Sequence, residues 1–132
     1  MEFVKIGSKV WNVMITEISE NFSILYSENT GRTMSMGARM TLDPLGTFFG
    51  HKVTFVKRSN NQDEYDALYE YLSKPRFDGI PVELPHNQST LKYDAYVSTG
   101  ERKVRLIDTE NGIVHWDSFS ANFIPMEAQV RP

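Results

Sequence analysis

The chain has 132 residues, 40% of them hydrophobic and 12% aromatic, which fits one domain able to bury a core without staples. Its 14 Lys and Arg stand against 17 Asp and Glu, and the resulting net charge of -3 argues against nucleic acid or an anionic membrane surface as the main partner. Without cysteine there is no disulfide framework, no thiolate metal site and no Cys nucleophile, and no window approaches the length of a transmembrane span.

At the N-terminus, MEFVKIGSKVWNVM lacks a cationic segment followed by a long apolar run, so no secretory signal is expected and the protein reads as soluble and made in the cytosol. Gly and Pro are spread along the chain, with no repeat, low-complexity tract or linker, so residues 1–132 read as one domain. Trp11, Val13 and Ile15 alternate with Asn12, Met14 and Thr16, and Phe22, Ile24 and Tyr26 alternate with Ser23, Leu25 and Ser27. This period of two is the mark of strands. Glu28 to Arg32 is a turn signal, with Asn29 and Gly31 able to take positive φ. After it, Met34, Met36, Ala38, Met40 and Leu42 share one face of a predicted strand, and Thr33, Ser35, Gly37, Arg39 and Thr41 share the other. The two runs and the turn predict a hairpin. Pro44 and Gly46 break the ladder, and Thr47 to Lys57 resumes it, with Gly46 and Gly50 as bulge or close-packing positions beside Phe48 and Phe49.

The period then changes. Tyr65, Leu68, Tyr69 and Leu72 stand at i, i+3, i+4 and i+7, an amphipathic helix of about three turns. Asn61 and Glu64 form a plausible capping pair, and Lys74 and Pro75 end the helix. Asp63, Glu64 and Asp66 suit the positive end of the helix dipole and read as a helix start, not as a cation site. Strands return in GIPVEL, where Pro81 suits an edge, and in STLKYDAYVS. Turns at Thr99-Gly100 and Asn111-Gly112 lead into ERKVRLI and a long final strand, in which Trp116 and Phe123 cannot share a face without a bulge. The expected fold is mainly β: a sandwich or barrel of eight or nine strands with one packed helix.

The pattern does not point to catalysis. His51, His86 and His115 lie far apart with no Glu or His at ligand spacing, and His51 and His115 fall in strands, where a solvent-facing or core-edge histidine is the commoner finding. No G-x-S-x-G elbow, phosphate loop, H-E-x-x-H or paired-carboxylate motif occurs. The expectation is a protein that is not an enzyme, with no cofactor and no metal. A monomeric β-sandwich binding module, for instance one recognising cell-surface carbohydrate through aromatic side chains, is the alternative. Lys52, Lys57 and Arg58 make a modest basic edge and Glu101 to Arg105 another, neither dense enough to outweigh the acidic total.

YDAYVSTGERKV followed by NGIVHWDSFSANFIPMEAQVRP resembles the closing hairpin of small tail proteins of tailed bacteriophages and prophages of Gram-positive bacteria. The resemblance rests on Tyr93 to Val97 and Gly112 to Pro125 and, by element order, extends to tail-tube subunits and the N-terminal region of distal tail proteins. It implies a long hairpin projecting from the β-sandwich, and a virion structural protein made in the host cytoplasm. It implies a homo-oligomeric ring of six copies that contacts other tail proteins, with DNA only as passing cargo and no membrane. It contributes no catalytic residues. Under this reading Met34, Met36, Met40, Phe48 and Phe49 are subunit-interface candidates, since flexible thioethers repack against an imperfect partner. The other reading of the methionines, the monomer's own core, stays open.

Overall fold

The computed structural model describes residues 4–28, 30–32, 37, 39–58 and 62–132. In chain order it contains β1 (Lys5–Ile6), β2 (Met14–Tyr26), β3 (Gly31–Arg32), β4 (Met40–Thr41), β5 (Pro44–Val56), α1 (Gln62–Ser73) and β6 (Ile80–His86). Then follow β7 (Ser89–Tyr96), β8 (Gly100–Glu101), β9 (Val104–Asp108), β10 (Ile113–Trp116) and β11 (Phe119–Pro125). The fold is mainly β and sandwich-like, with one packed helix. Four of the eleven described strands have only two residues, so the longer strands number seven.

One seven-stranded sheet runs β1-β6-β7-β11-β5-β2, with β8 added to β11; β9–β10 and β3–β4 are separate two-stranded ribbons. β11 joins the halves. Its residues Phe119 to Phe123 pair with β5, whereas Ile124 and Pro125 pair with β7. Alternate residues of these strands meet in the core: Val53 and Phe55 from β5, Ile80, Val82 and Leu84 from β6, and Phe119, Ala121 and Phe123 from β11. The helix adds Tyr65, Leu68 and Leu72, three of the four residues whose spacing predicts it. Tyr65 and Tyr69 both meet the Phe119 ring edge-on at 5.3 Å, the geometry the ring quadrupoles favour. Asp63 and Glu64 occupy the first helical turn, and Glu64 also accepts from Lys9 Nζ and the Asn12 amide, each at 3.4 Å. The proposed cap Asn61 lies outside the described residues.

Several expectations change. Phe22 to Tyr26 pair with the β5 segment Pro44 to Phe49, Phe22 opposite Phe49, where the sequence predicts a hairpin with the Thr33 to Leu42 run. Of that run, Met40 pairs with Arg32 and Thr41 with Gly31. Gly31 therefore sits in a strand, without positive φ. The long final strand is two strands, β10 and β11, broken at Asp117-Ser118, and this break removes the conflict between Trp116 and Phe123. Gly100 is not at a turn but in β8, where it pairs with Ala121. Pro44 and Gly46 do not break the ladder, since both lie in β5 paired with Tyr26 and Leu25. As close-packing positions the glycines of β5 stand: a Cβ on Gly46 would meet Ala128 Cβ at 2.6 Å beside a register shift, and one on Gly50 would meet Asn21 Oδ1 at 2.9 Å.

Candidate functional site

The two 13-residue strands β2 and β5 pair along their whole length and form a ribbon longer than the core beneath it. On one face the pairs run Ile15 and Phe55, Ile18 and Val53, Glu20 and His51, Phe22 and Phe49, Ile24 and Thr47. Phe55, Val53 and His51 are buried, but Phe22 is 68% exposed and Ile24 is also open. The apolar stripe thus continues past the point where the domain stops covering it. The opposite face carries Glu17, Ser19, Asn21 and Ser23 against Thr54, Lys52, Gly50 and Phe48. A neck follows, in which Asp43 donates its amide to Thr30 Oγ1 at 2.8 Å, accepts the Ser27 amide on its carbonyl at 2.9 Å and accepts the Ser27 hydroxyl on its carboxylate. Beyond and around this neck Leu25, Tyr26, Met40, Leu42 and Leu45 are all exposed.

The boundary between covered and open stripe is a polar cluster. His51 is completely buried, and its Nε2 lies 3.0 Å from both the Pro85 carbonyl and Glu20 Oε2. Two acceptors at one nitrogen require a proton there, so in the neutral ring Nδ1 accepts the Tyr93 hydroxyl at 2.7 Å. Glu20 Oε2 also accepts from His86 Nδ1 at 2.7 Å, and the His86 ring leans on Phe49 at 4.8 Å. Burial first, and the nearby Glu20 charge second, push the Tyr93 hydroxyl well above the ordinary tyrosine range. Every ring nitrogen of His51 is engaged, which leaves no lone pair to act on an external substrate. His115 is half-buried and accepts from Lys57 Nζ at 3.0 Å on Nδ1. His51 is therefore a core residue rather than a solvent-facing or core-edge one, and it ties the ribbon to the β6–β7 hairpin.

A second projection is the β9–β10 hairpin. Its root is held by Arg102, whose guanidinium lies 4.0 Å from the Tyr69 ring centroid and 3.9 Å from that of Trp116 while bonding Asp66 Oδ1 at 3.0 Å. Its tip is the Asn111-Gly112 turn, where Asn111 and the Glu110 amide hold the Asp108 carboxyl below the usual carboxylate range. Leu106 and Ile113 lie on one face of this hairpin, Ile107 and Val114 on the other, and all four are exposed.

Of the residues proposed from sequence as an interface, Met34 and Met36 lie outside the described residues. Met40 is exposed on β4. Phe48 and Phe49 are half-buried on opposite faces of the ribbon, Phe48 opposite Ser23 and Phe49 against His86. Phe22, Ile24, Leu25, Tyr26 and Leu45 were not among those candidates, although the alternation of Phe22, Ile24 and Tyr26 was visible. The usable signal was excess: more alternating apolar residues than a small core can cover. The Glu20–His51–His86–Tyr93 cluster has no such signal, because its members come from four strands.

A groove of about 580 Å³ between the end of α1 and β7, lined by Leu72, Phe77, Tyr96 and Met126 among others, contains no histidine or carboxylate. Among the described residues no group of three or more His, Asp or Glu is arranged to hold a metal ion, and no helix is long and apolar enough to cross a membrane. No protein-family model matches the chain, and no curated protein matches it.

Proposed function

We propose that this protein is a structural subunit of a bacteriophage tail, assembling with copies of itself into a ring, six to the ring, that forms part of the tube or a distal connector around the DNA passage. The observation that carries the reading is the β2–β5 ribbon, whose apolar stripe extends beyond its own domain through Phe22 and Ile24 while its other face stays largely polar. A ring subunit needs that division. One face of each ribbon is covered by a neighbour, and the polar face meets a water-filled channel. Glu17, Ser19, Asn21 and Ser23 supply a channel wall on which DNA finds few cations to hold it, in keeping with the net charge of -3. The sequence resemblance to tail proteins of phages and prophages supports the same assignment, including a place in the virion.

Negative-stain microscopy and light scattering at rising protein concentration test the proposal, and rings or short tubes are the expected result. Replacing both Phe22 and Ile24 by Asp should leave the monomer folded, since both side chains are already open to water. The same change should abolish assembly, because two carboxylates would be desolvated without partners at a cost of several kcal/mol per ion. A wild-type protein that stays monomeric at high concentration and ignores tail partners overturns the proposal.

A further inference from the structure

β5 has two edges, and β2 pairs along the whole of one. On the other, His51, Val53 and Phe55 face Phe123, Ala121 and Phe119 of β11, after which β11 leaves for β7. The chain stays beside β7 as far as Met126, whose amide donates to the Asp94 carbonyl at 2.9 Å, and then comes back to β5. There Thr47 donates its amide to the Val130 carbonyl at 2.8 Å and accepts the Gln129 amide on its own carbonyl at 3.1 Å. Between departure and return lies Phe49, and a side chain serves it in place of a backbone. Gln129 Oε1 accepts the Phe49 amide, and Gln129 Nε2 donates to the Phe49 carbonyl, each at 3.0 Å. A carboxamide offers a donor and an acceptor side by side, as a peptide group does.

This return is held differently from the rest of the edge. β11 is anchored by Phe119, Ala121 and Phe123, all buried in the core. In the segment 126–130 no residue is buried: Met126, Glu127 and Val130 are exposed, and Ala128 and Gln129 are half-buried. Surface hydrogen bonds with little burial behind them are the ones that open locally, without global unfolding.

We infer that the segment 126–130 is a latch, which closes over β5 at Thr47 and Phe49 and releases them as a unit while β11 stays in place. Closed, it ties the outer part of the β2–β5 ribbon to the domain. Open, it leaves that part with β2 as its strand partner, and a two-stranded ribbon standing alone is marginal in water. The ribbon then yields from the Glu20–His51 pair outward, where its stripe is no longer covered. The latch belongs to the single chain and does not depend on the ring proposed above.

Hydrogen exchange of the backbone amides, followed residue by residue by NMR, tests the latch. In the wild type the Thr47 and Phe49 amides should exchange together, about tenfold faster than those of Val53 and Phe55 on the same edge and with less response to added urea. Gln129→Ala removes both bonds to Phe49 and should speed Thr47 and Phe49 about tenfold further, with Val53 and Phe55 near wild type. Gln129→Glu keeps the length and an acceptor but lacks the donor, and should act in the same direction. Locking should do the reverse. Thr47→Cys with Val130→Cys puts two thiols on bridged antiparallel residues of a chain that has no other cysteine. Their disulfide should slow the Phe49 amide to the rate of Val53, and reduction should restore fast exchange. Should a Gln129 variant fail to fold, the wild type and the locked chain decide. Thr47 and Phe49 amides no faster than those of Val53 and Phe55 overturn the latch. So does a Gln129→Ala variant that speeds all four amides equally, or a lock that leaves Phe49 unchanged.

Discussion

Glu20 and His51 are register partners across β2 and β5, and the carboxylate of the first accepts the buried Nε2–H of the second at 3.0 Å. The pair marks the line at which the ribbon leaves its domain. On one side of it Val53 is buried, and on the other Phe22 is open. A buried imidazole with three partners is costly to interrupt. His51→Ala would leave a cavity and strand the Tyr93 hydroxyl, so it should destabilise by about 2–4 kcal/mol. Glu20→Gln keeps the shape and one acceptor and should cost about 1 kcal/mol. Urea unfolding with an unchanged m-value checks both, and equal losses for the two variants would contradict this account.

Alkaline pH should loosen the same joint. The Tyr93 hydroxyl is raised in the folded state above its ordinary 10.0, chiefly by burial. A raised folded value means that its contribution is fully present below pH 10 and is lost as the unfolded chain ionises while the native ring does not. Wild type should therefore lose stability from about pH 10 upward, the window set by the reference tyrosine value. Tyr93→Phe should be less stable near neutrality, having lost the bond to His51, and should show a flatter decline. Parallel declines would place the alkaline sensitivity elsewhere, with the similarly raised Tyr65 as the next group to replace.

Arg102 should resist conservative replacement. Its guanidinium lies between Tyr69 and Trp116 and also bonds Asp66. Two stacked faces and their packing predict a loss of about 2–3 kcal/mol for Arg102→Ala. Arg102→Lys should recover little of it, since an ammonium has no plane to stack. Trp116 fluorescence follows both the melting and the local environment, and full recovery by Lys would reduce the site to a simple ion pair.

Gly79 should be irreplaceable. Its φ is +78°, and a Cβ there would stand 2.7 Å from the Ala95 carbonyl oxygen and 2.5 Å from Met126 Sδ. The thioether can swing aside but the backbone oxygen cannot. Gly79→Ala should cost about 2–4 kcal/mol, from the left-handed backbone and the clash together. Gly100→Ala is the control, since nothing lies within 4 Å of its added methyl and its φ is not positive. The two melting curves should differ plainly.

Local pattern carried much of this fold. Tyr65, Leu68 and Leu72 announce the helix because its period is set by neighbours three and four residues away, and Asn111-Gly112 announces its turn for a similarly local reason. Pairing was less legible. Phe22 could alternate equally well against Met34 to Met40 or against Thr47 to Phe49, since both runs have period two. The choice of β5 follows from Val53 and Phe55 reaching the core opposite Ile18 and Ile15, a matter of tertiary packing. The break at Asp117-Ser118 was hidden likewise, because the carbonyl that accepts the Tyr65 hydroxyl lies 52 residues from its donor. Among the interface candidates, Phe48 and Phe49 looked equivalent as a doublet, yet adjacent residues of a strand must face opposite ways.

The place of β11 has a consequence for synthesis. It is the last strand of the sheet to be made, and it pairs with β5 through residues 119–123 and with β7 through residues 124–125. A nascent chain that has already exposed β2, β5, β6 and β7 still lacks the piece that joins them. Its two half-sheets wait on the ribosome with edges open, and closure becomes a late, cooperative event governed by contacts distant in sequence.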